Sequence, residues 1–115
     1  MKTTTERPTL SLHAIVYPDT ETGGFLAHCL ELDLMASGSS AEEASSDLVD
    51  VVTAQIQYAF DHDNLDYLIH PAPADAWQRF TTVLKSEFHM VTKRLSIEDG
   101  QRVHFQPQLE LALAA

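Results

Sequence analysis

The sequence has few basic residues, and they are unevenly distributed. Between Pro8 and Gln78 there is no lysine or arginine, although this span holds twelve carboxylates. Five of the seven basic residues fall between Arg79 and Arg102, and the net charge of the 115-residue chain is −10. Non-specific binding to nucleic acid needs lysine and arginine to displace phosphate counterions, so this composition argues against it. The acidity either serves solubility alone or attracts a basic partner.

Cysteine and long apolar runs are also scarce. The single cysteine, Cys29, excludes an internal disulfide framework and is compatible with a reducing compartment. No apolar run approaches the ~20 residues of a membrane-spanning helix. The opening segment, MKTTTERPTL, lacks the apolar core of a signal peptide. We therefore expect a cytoplasmic protein.

The length of the chain predicts a single domain over residues 1–115, which can bury a core without disulfides or bound metal. Residues 1–8 are polar and end in a proline, and they are predicted to be a disordered lead-in.

The strongest local signal is a capping box at residues 40–43. The Ser40 hydroxyl is predicted to accept from the Glu43 amide, and the Glu43 carboxylate to accept from the Ser40 amide. Apolar residues then recur at the spacing of one helix face: Ala44, Leu48, Val51, Val52, Ile56, Ala59 and Phe60. This pattern predicts a helix over residues 41–60, ended by the polar run 61–64.

Alternating patterns predict three strands before this helix. Residues 10–17 form the first, with one firmly apolar face. The turn-forming residues 18–23 join it in a hairpin to a second strand that is buried on both faces and includes His28 and Cys29. A short third strand at 34–37 precedes Gly38.

The segment after the long helix has a different pattern. A shorter helix is predicted to begin near Pro73, and residues 88–97 are predicted to form one strand. Asp99-Gly100 is a hairpin signal. A final strand over residues 103–111 is expected at a sheet edge, or broken at Pro107, because proline has no backbone donor. The predicted fold class is α+β: a small antiparallel sheet with one long helix packed on it, plus a C-terminal short helix and β-hairpin.

Residues 12–60 carry an acidic turn, a glycine–aromatic pair, a loop after the second strand, a glycine, a serine cap and an EEA motif, in that order. The residues are Asp19-Thr20-Glu21, Gly24-Phe25, Leu30-Glu31-Leu32, Gly38, Ser40 and Glu42-Glu43-Ala44. This order resembles the pattern of the HicB-like antitoxin family, in which the cap is Ser or Thr. The resemblance implies a truncated ribonuclease H-like core over residues 10–62. Residues 63–115 form an extension that does not resemble the DNA-binding helix pair of many members.

Family members commonly neutralise HicA-type toxins, which are small basic ribonucleases. The resemblance therefore implies a non-enzymatic protein, without a cofactor, that binds a basic protein partner through an acidic surface. The candidate partner-binding residues are Asp19, Glu21, Glu31, Asp33, Asp47 and Asp50. Ser40 and Glu43 are assigned a structural role as helix caps.

Self-association is also expected. Small sheets leave edge strands whose unpaired backbone groups tend to pair with another chain, and members of the resembled family often self-associate. We predict a homodimer, formed through sheet edges or through the C-terminal hairpin. In the latter case Leu109, Leu111 and Leu113 would contribute an apolar interface.

Two other functions compete with this interpretation. A transcription regulator with an unrecognised DNA-binding part would use the basic residues after position 79: Lys85, Lys93, Arg94 and Arg102. A divalent-metal nuclease would use His62 and His70. The first strand contains no carboxylate, so a two-metal site of the ribonuclease H type does not assemble there. His28 and Cys29 are adjacent on a strand and point to opposite faces, so they cannot form a nucleophile–base pair. Cys29 is expected to be a small core residue, and no metal site is predicted.

Overall fold

The computed structural model describes residues 10–114, so the predicted lead-in at residues 1–8 lies outside the described residues. The described elements, in chain order, are β1 (Ser11–Pro18), β2 (Phe25–Cys29), β3 (Leu34–Gly38), α1 (Ala41–Asp61), a 3₁₀ helix (Leu65–Tyr67), α2 (Ala74–Leu84), β4 (Phe88–Arg94), β5 (Ile97–Asp99), β6 (Arg102–Phe105) and β7 (Gln108–Ala114). The α+β class, with a long helix on a sheet, a second short helix and a β-hairpin, is confirmed. No helix in this part of the chain is long and apolar enough to cross a membrane.

The main sheet has five strands in the order β3-β2-β1-β7-β4, and it is mixed rather than antiparallel. Antiparallel pairing joins β1 to β2, β2 to β3 and β4 to β7. In contrast, β7 runs parallel to β1, with Leu12 opposite Leu109 and Val16 opposite Leu113. The expectation of an antiparallel sheet was wrong on this point because β7 enters the sheet at the end where β1 begins.

Helix α1 forms as the capping box predicts. The Ser40 Oγ accepts from the Glu43 N–H at 3.1 Å. The reciprocal bond is shifted by one residue: Glu43 Oε1 accepts from the Ser39 N–H at 2.7 Å, not from Ser40. The helix packs its apolar face on the sheet, where Leu48, Val52 and Ile56 are completely buried.

The predicted strand over residues 88–97 is interrupted at Leu95–Ser96, and the predicted final strand over 103–111 is interrupted at Gln106–Pro107. The Leu95 N–H donates to the Pro107 carbonyl at 2.8 Å. This bond closes the base of a segment that leaves the main sheet between β4 and β7. This segment is the small β5–β6 hairpin, which the Asp99-Gly100 signal predicted. The turn lies one residue later than that signal: Asp99 pairs with Arg102, and the turn residues are Gly100, in the left-handed region at φ 68°, and Gln101.

The break at Pro107 is confirmed, but the edge position is wrong. Strand β7 lies between β1 and β4, inside the sheet. Leu109 and Leu111 are completely buried in the core, and Leu113 packs against it. These leucines face α1 inside the chain and do not form an interface.

The opposite face of the sheet is covered by α2, which begins after Pro73 as predicted. A smaller apolar cluster forms there around Ile15, Leu30 and Ala112, with Trp77 and Phe80 packed against it. The two faces of β1 thus have different neighbours: Leu12, Ala14 and Val16 belong to the α1 core, whereas Ile15 belongs to the α2 cluster.

Candidate functional site

The predicted partner-binding carboxylates occupy three separate places. Asp19 and Glu21 lie in the β1–β2 turn, Glu31 and Asp33 follow β2, and the remaining two lie on α1. The five residues of β2 place the turn and the β2–β3 loop at opposite ends of the sheet, ~16 Å apart at the usual rise. These residues therefore do not form one continuous surface.

In the β1–β2 turn, the Asp19 carboxylate is occupied within the turn itself. Its Oδ1 accepts from the Glu21 N–H at 3.1 Å, and its Oδ2 accepts from the Thr22 hydroxyl at 2.8 Å. The Asp19 N–H donates to the Gly24 carbonyl at 2.8 Å. Asp19 is thus a turn-forming residue, and Glu21 is the exposed acid of this turn.

Glu31 contacts His13, which was not among the candidate site residues predicted from the sequence. The backbone N–H of His13 donates to Glu31 Oε1 at 2.7 Å, and the ring Nδ1 of His13 lies 2.6 Å from Glu31 Oε2. On the other side of the ring, His13 Nε2 lies 3.4 Å from an oxygen of Glu110, on β7. The contacts join β1, the β2–β3 loop and β7 on the α2 face.

Asp33 forms a second pair of this kind. His28 Nε2 lies 2.6 Å from Asp33 Oδ1, and His28 is almost completely buried. Asp33 adopts a left-handed backbone conformation, at φ 53°, which Asp tolerates better than most non-glycine residues. Both acids of the β2–β3 loop are therefore partnered within the chain and are less available to an outside cation than free surface acids.

One feature of the sequence could have indicated these pairs. Strand alternation places His13 on the same face as Ile15, and His28 lies opposite Ile15 on the neighbouring strand. Both histidines therefore lie on the α2 face of the sheet. Their partners depend on the loop path after β2, which alternation does not define.

Asp47 and Asp50 lie on the exposed side of α1. Helix α1 has five carboxylates and no lysine or arginine. Across residues 10–114, the ion pairs of carboxylates involve only histidines, so no lysine or arginine neutralises these acids. The outer face of α1 therefore carries uncompensated negative charge.

A groove of about 440 Å³ runs between α1 and β4. Val49, Val91 and Leu113 give it apolar walls, and the charged residues Glu42, Asp50 and Lys93 also line it. The groove exists because α1 lies mainly over β3 and β2, so the sheet surface at β4 remains open on that side.

The residues considered for enzymatic chemistry are not assembled into a site. Nδ1 of His62 lies 2.8 Å from the Tyr58 carbonyl, and its ring stacks on Tyr58. The His70 N–H donates to the Glu31 carbonyl at 2.9 Å. Within residues 10–114, no group of three or more His, Cys, Asp or Glu side chains is arranged to hold a metal ion.

Cys29 is a completely buried core residue, as predicted. Burial, and after it the negative charge of Glu31, raises the pKa of the Cys29 thiol to about 12. A thiol in this state is protonated at neutral pH and is a poor nucleophile. His28 and Cys29 belong to opposite faces of β2, as strand alternation predicted.

The basic residues of the second half of the chain are spread over several elements. Lys85 follows α2, Lys93 and Arg94 end β4, and Arg102 begins β6.

Comparison of the chain with known protein families, with curated proteins and with solved structures gave no significant match. The HicB-like resemblance therefore rests on the motif residues of the first half of the chain.

Proposed function

We propose that this protein is a non-enzymatic, HicB-like binding module that holds a small basic protein, such as a HicA-type toxin, on the outer face of α1. The observation that carries the proposal is the uncompensated charge of this helix. Of the three acidic places, only α1 presents several exposed carboxylates that have no ion-pair partner among residues 10–114.

The arrangement of side chains along α1 supports this choice. Glu43, Asp47, Asp50 and Asp61 recur at intervals that place them on the side of the helix away from the core. Val51 and Tyr58 are also exposed, Tyr58 to 59% of its full surface. An exposed aromatic ring beside a charged stripe is typical of protein-binding surfaces, where aromatic anchors supply affinity and charge supplies steering.

The β2–β3 loop contributes less in this proposal. Glu31 and Asp33 already contact His13 and His28, so a basic partner would have to compete with those contacts. The β1–β2 turn offers Glu21 as an additional contact at the end of the sheet.

The test is capture from native extract with charge-reversal variants of the helix. Wild-type protein is expected to retain a small basic protein at low salt and to release it at high salt, because exposed charge pairs are screened. Asp47→Lys with Asp50→Lys should abolish capture of that same protein, identified by mass.

The matched control is Asp66→Lys with Asp75→Lys, which makes the same change in net charge at exposed acids outside α1. This control should retain the partner. Loss of capture in both double variants would show that capture depends on net charge and not on α1. Loss of capture in Glu21→Lys alone would place the partner-binding site at the β1–β2 turn. Absence of any basic protein at low salt, or salt-dependent binding of promoter DNA instead, contradicts the proposal.

A further inference from the structure

Strand β4 is an open edge of the main sheet. It pairs with β7 on one side only, over all seven of its residues. Nearly the whole strand is exposed, including the apolar residues Phe88 (37%) and Met90 (39%). The other edge strand, β3, has five residues and lies against α1.

Over residues 88–92, strand β4 lacks the features that protect an edge from pairing. It contains no proline, and its ladder with β7 is regular from Phe88 to Arg94. An edge that is long, regular and partly apolar is a template for a further strand. Charge is placed only at its two ends, with Glu87 just before the strand and Lys93 and Arg94 at its far end.

We propose that β4 pairs antiparallel with β4 of a second copy, about a two-fold axis at Met90. A two-fold axis perpendicular to the sheet makes each residue pair with one whose side chain lies on the same face. Because faces alternate along a strand, this restricts the pairing to registers in which one residue of β4 lies opposite itself.

Charge selects among these registers. With the axis at Met90, Glu87 lies opposite Lys93 of the second copy, and the symmetry makes this contact twice. With the axis at Val91, His89 lies opposite Lys93, and Glu87 has no charged residue opposite it. Opposite charges that face each other across strands are favourable, and like charges are unfavourable. Neither Glu87 nor Lys93 has an ion-pair partner among residues 10–114, so both are free to form these contacts.

The apolar residues fit the same register. Met90 lies against Met90, and Phe88 lies against Thr92 of the second copy, all on the α2 face. Val91, which is half-buried at the groove, lies beside His89. The pairing places both α1 helices on one face of a continuous sheet, with the two grooves next to each other across the axis.

Cross-linking through introduced cysteines tests the register. Opposed residues in antiparallel strands have Cβ atoms about 4.5–5.5 Å apart, so Met90→Cys should form an intermolecular disulfide under mild oxidation. The matched control is Thr92→Cys on the same face. In the proposed register the two copies of this position are ~13 Å apart, beyond disulfide reach. The native Cys29 is completely buried and should not cross-link.

Charge reversal tests the contact that selects the register. Glu87→Lys and Lys93→Glu should each weaken the dimer about tenfold or more, measured by light scattering and sedimentation, since each change turns two attractive contacts into repulsive ones. An equimolar mixture of the two variants should restore a heterodimer, because Glu then faces Lys at both positions. Circular dichroism checks that each variant is folded.

Three results would overturn the proposal: a wild-type monomer at all concentrations up to high micromolar, cross-linking at Thr92 without cross-linking at Met90, or a dimer that neither charge reversal weakens. The experiment uses the chain alone, so its outcome is independent of any basic partner of α1.

Discussion

The two faces of the main sheet are built differently. On one face the 21-residue α1 covers a continuous apolar core in which Leu12, Leu48 and Leu111 are completely buried. On the other face the 11-residue α2 covers a smaller cluster, and two histidine–carboxylate pairs lie beside it. Apolar packing stabilises the first face, whereas polar contacts between side chains also contribute on the second. The two faces should therefore respond to different perturbations.

The largest expected effect is a cavity on the α1 face. Leu48→Ala should lower the free energy of unfolding by about 2–5 kcal/mol, because it removes a completely buried side chain from the core. The matched change on the other helix is Leu84→Ala, at a residue 39% exposed, and it should cost less than about 1 kcal/mol. Urea denaturation measures both, and similar losses would contradict the difference in burial between these two residues.

The next effect concerns the approach of β3 to α1. A Cβ at Gly38 would lie 2.6 Å from the Ala44 backbone nitrogen and 2.9 Å from the Glu43 Cβ. Gly38→Ala should therefore push the helix from the strand and cost about 1–3 kcal/mol, as overpacking does. Ser37→Ala is the control, since Ser37 is exposed in the same strand. Unchanged stability in Gly38→Ala would mean that the helix start moves freely.

On the α2 face, a double-mutant cycle should resolve the two contacts of His13. The His13–Glu31 cycle, built from alanine variants, should give a coupling of roughly 1 kcal/mol, because a charge-assisted hydrogen bond is made at 2.6 Å. The His13–Glu110 cycle should give a few tenths, since that contact is 3.4 Å long and both side chains are about one-third exposed. Equal couplings would show that distance does not rank these pairs.

The smallest effect at neutral pH is that of Cys29. Its folded pKa of about 12 lies above the ordinary value of 9.0, so the unfolded thiol ionises first as pH rises. The protonated thiol thus contributes stability fully below about pH 9, and this contribution is lost between pH 9 and 12.

Replacing the thiol should flatten this pH dependence. The fall in unfolding free energy above pH 9 should be shallower in Cys29→Ala than in the wild type. Below pH 9 the native wild type should resist a thiol reagent that labels the unfolded chain at once. Rapid labelling of the native protein would contradict the burial of this residue.

Local signals in the sequence predicted local structure well. Ser40 and Glu43 located the start of α1, and Asp99-Gly100 located the β5–β6 hairpin, because a cap and a two-residue turn involve neighbours in the chain. The position of β7 was not predictable in the same way. An alternating strand with Leu109 and Leu111 on one face has the same pattern at a dimer interface as in the centre of a sheet.

In the candidate site, too, local features were predictable from the sequence and contacts between distant residues were not. The acids were evident from composition, and the exposure of Asp47 and Asp50 follows from helix periodicity. The contacts of His13 with Glu31 and Glu110 were not evident, since Glu31 is 18 positions away and Glu110 lies on the last described strand. These contacts exist only once β1, β2 and β7 are side by side.

The parallel pairing of β1 with β7 has a consequence for the order of events during folding. Strands β1 to β3 and α1 are made early and contact one another through short connections, so they can collapse while the rest of the chain is still being synthesised. The sheet cannot close before residues 108–114 emerge and enter between β1 and β4. Pairing between such distant segments is slow, because loop closure must precede the contacts that reward it. Until then β1 has an unpaired side, through which a nascent chain can pair with another copy.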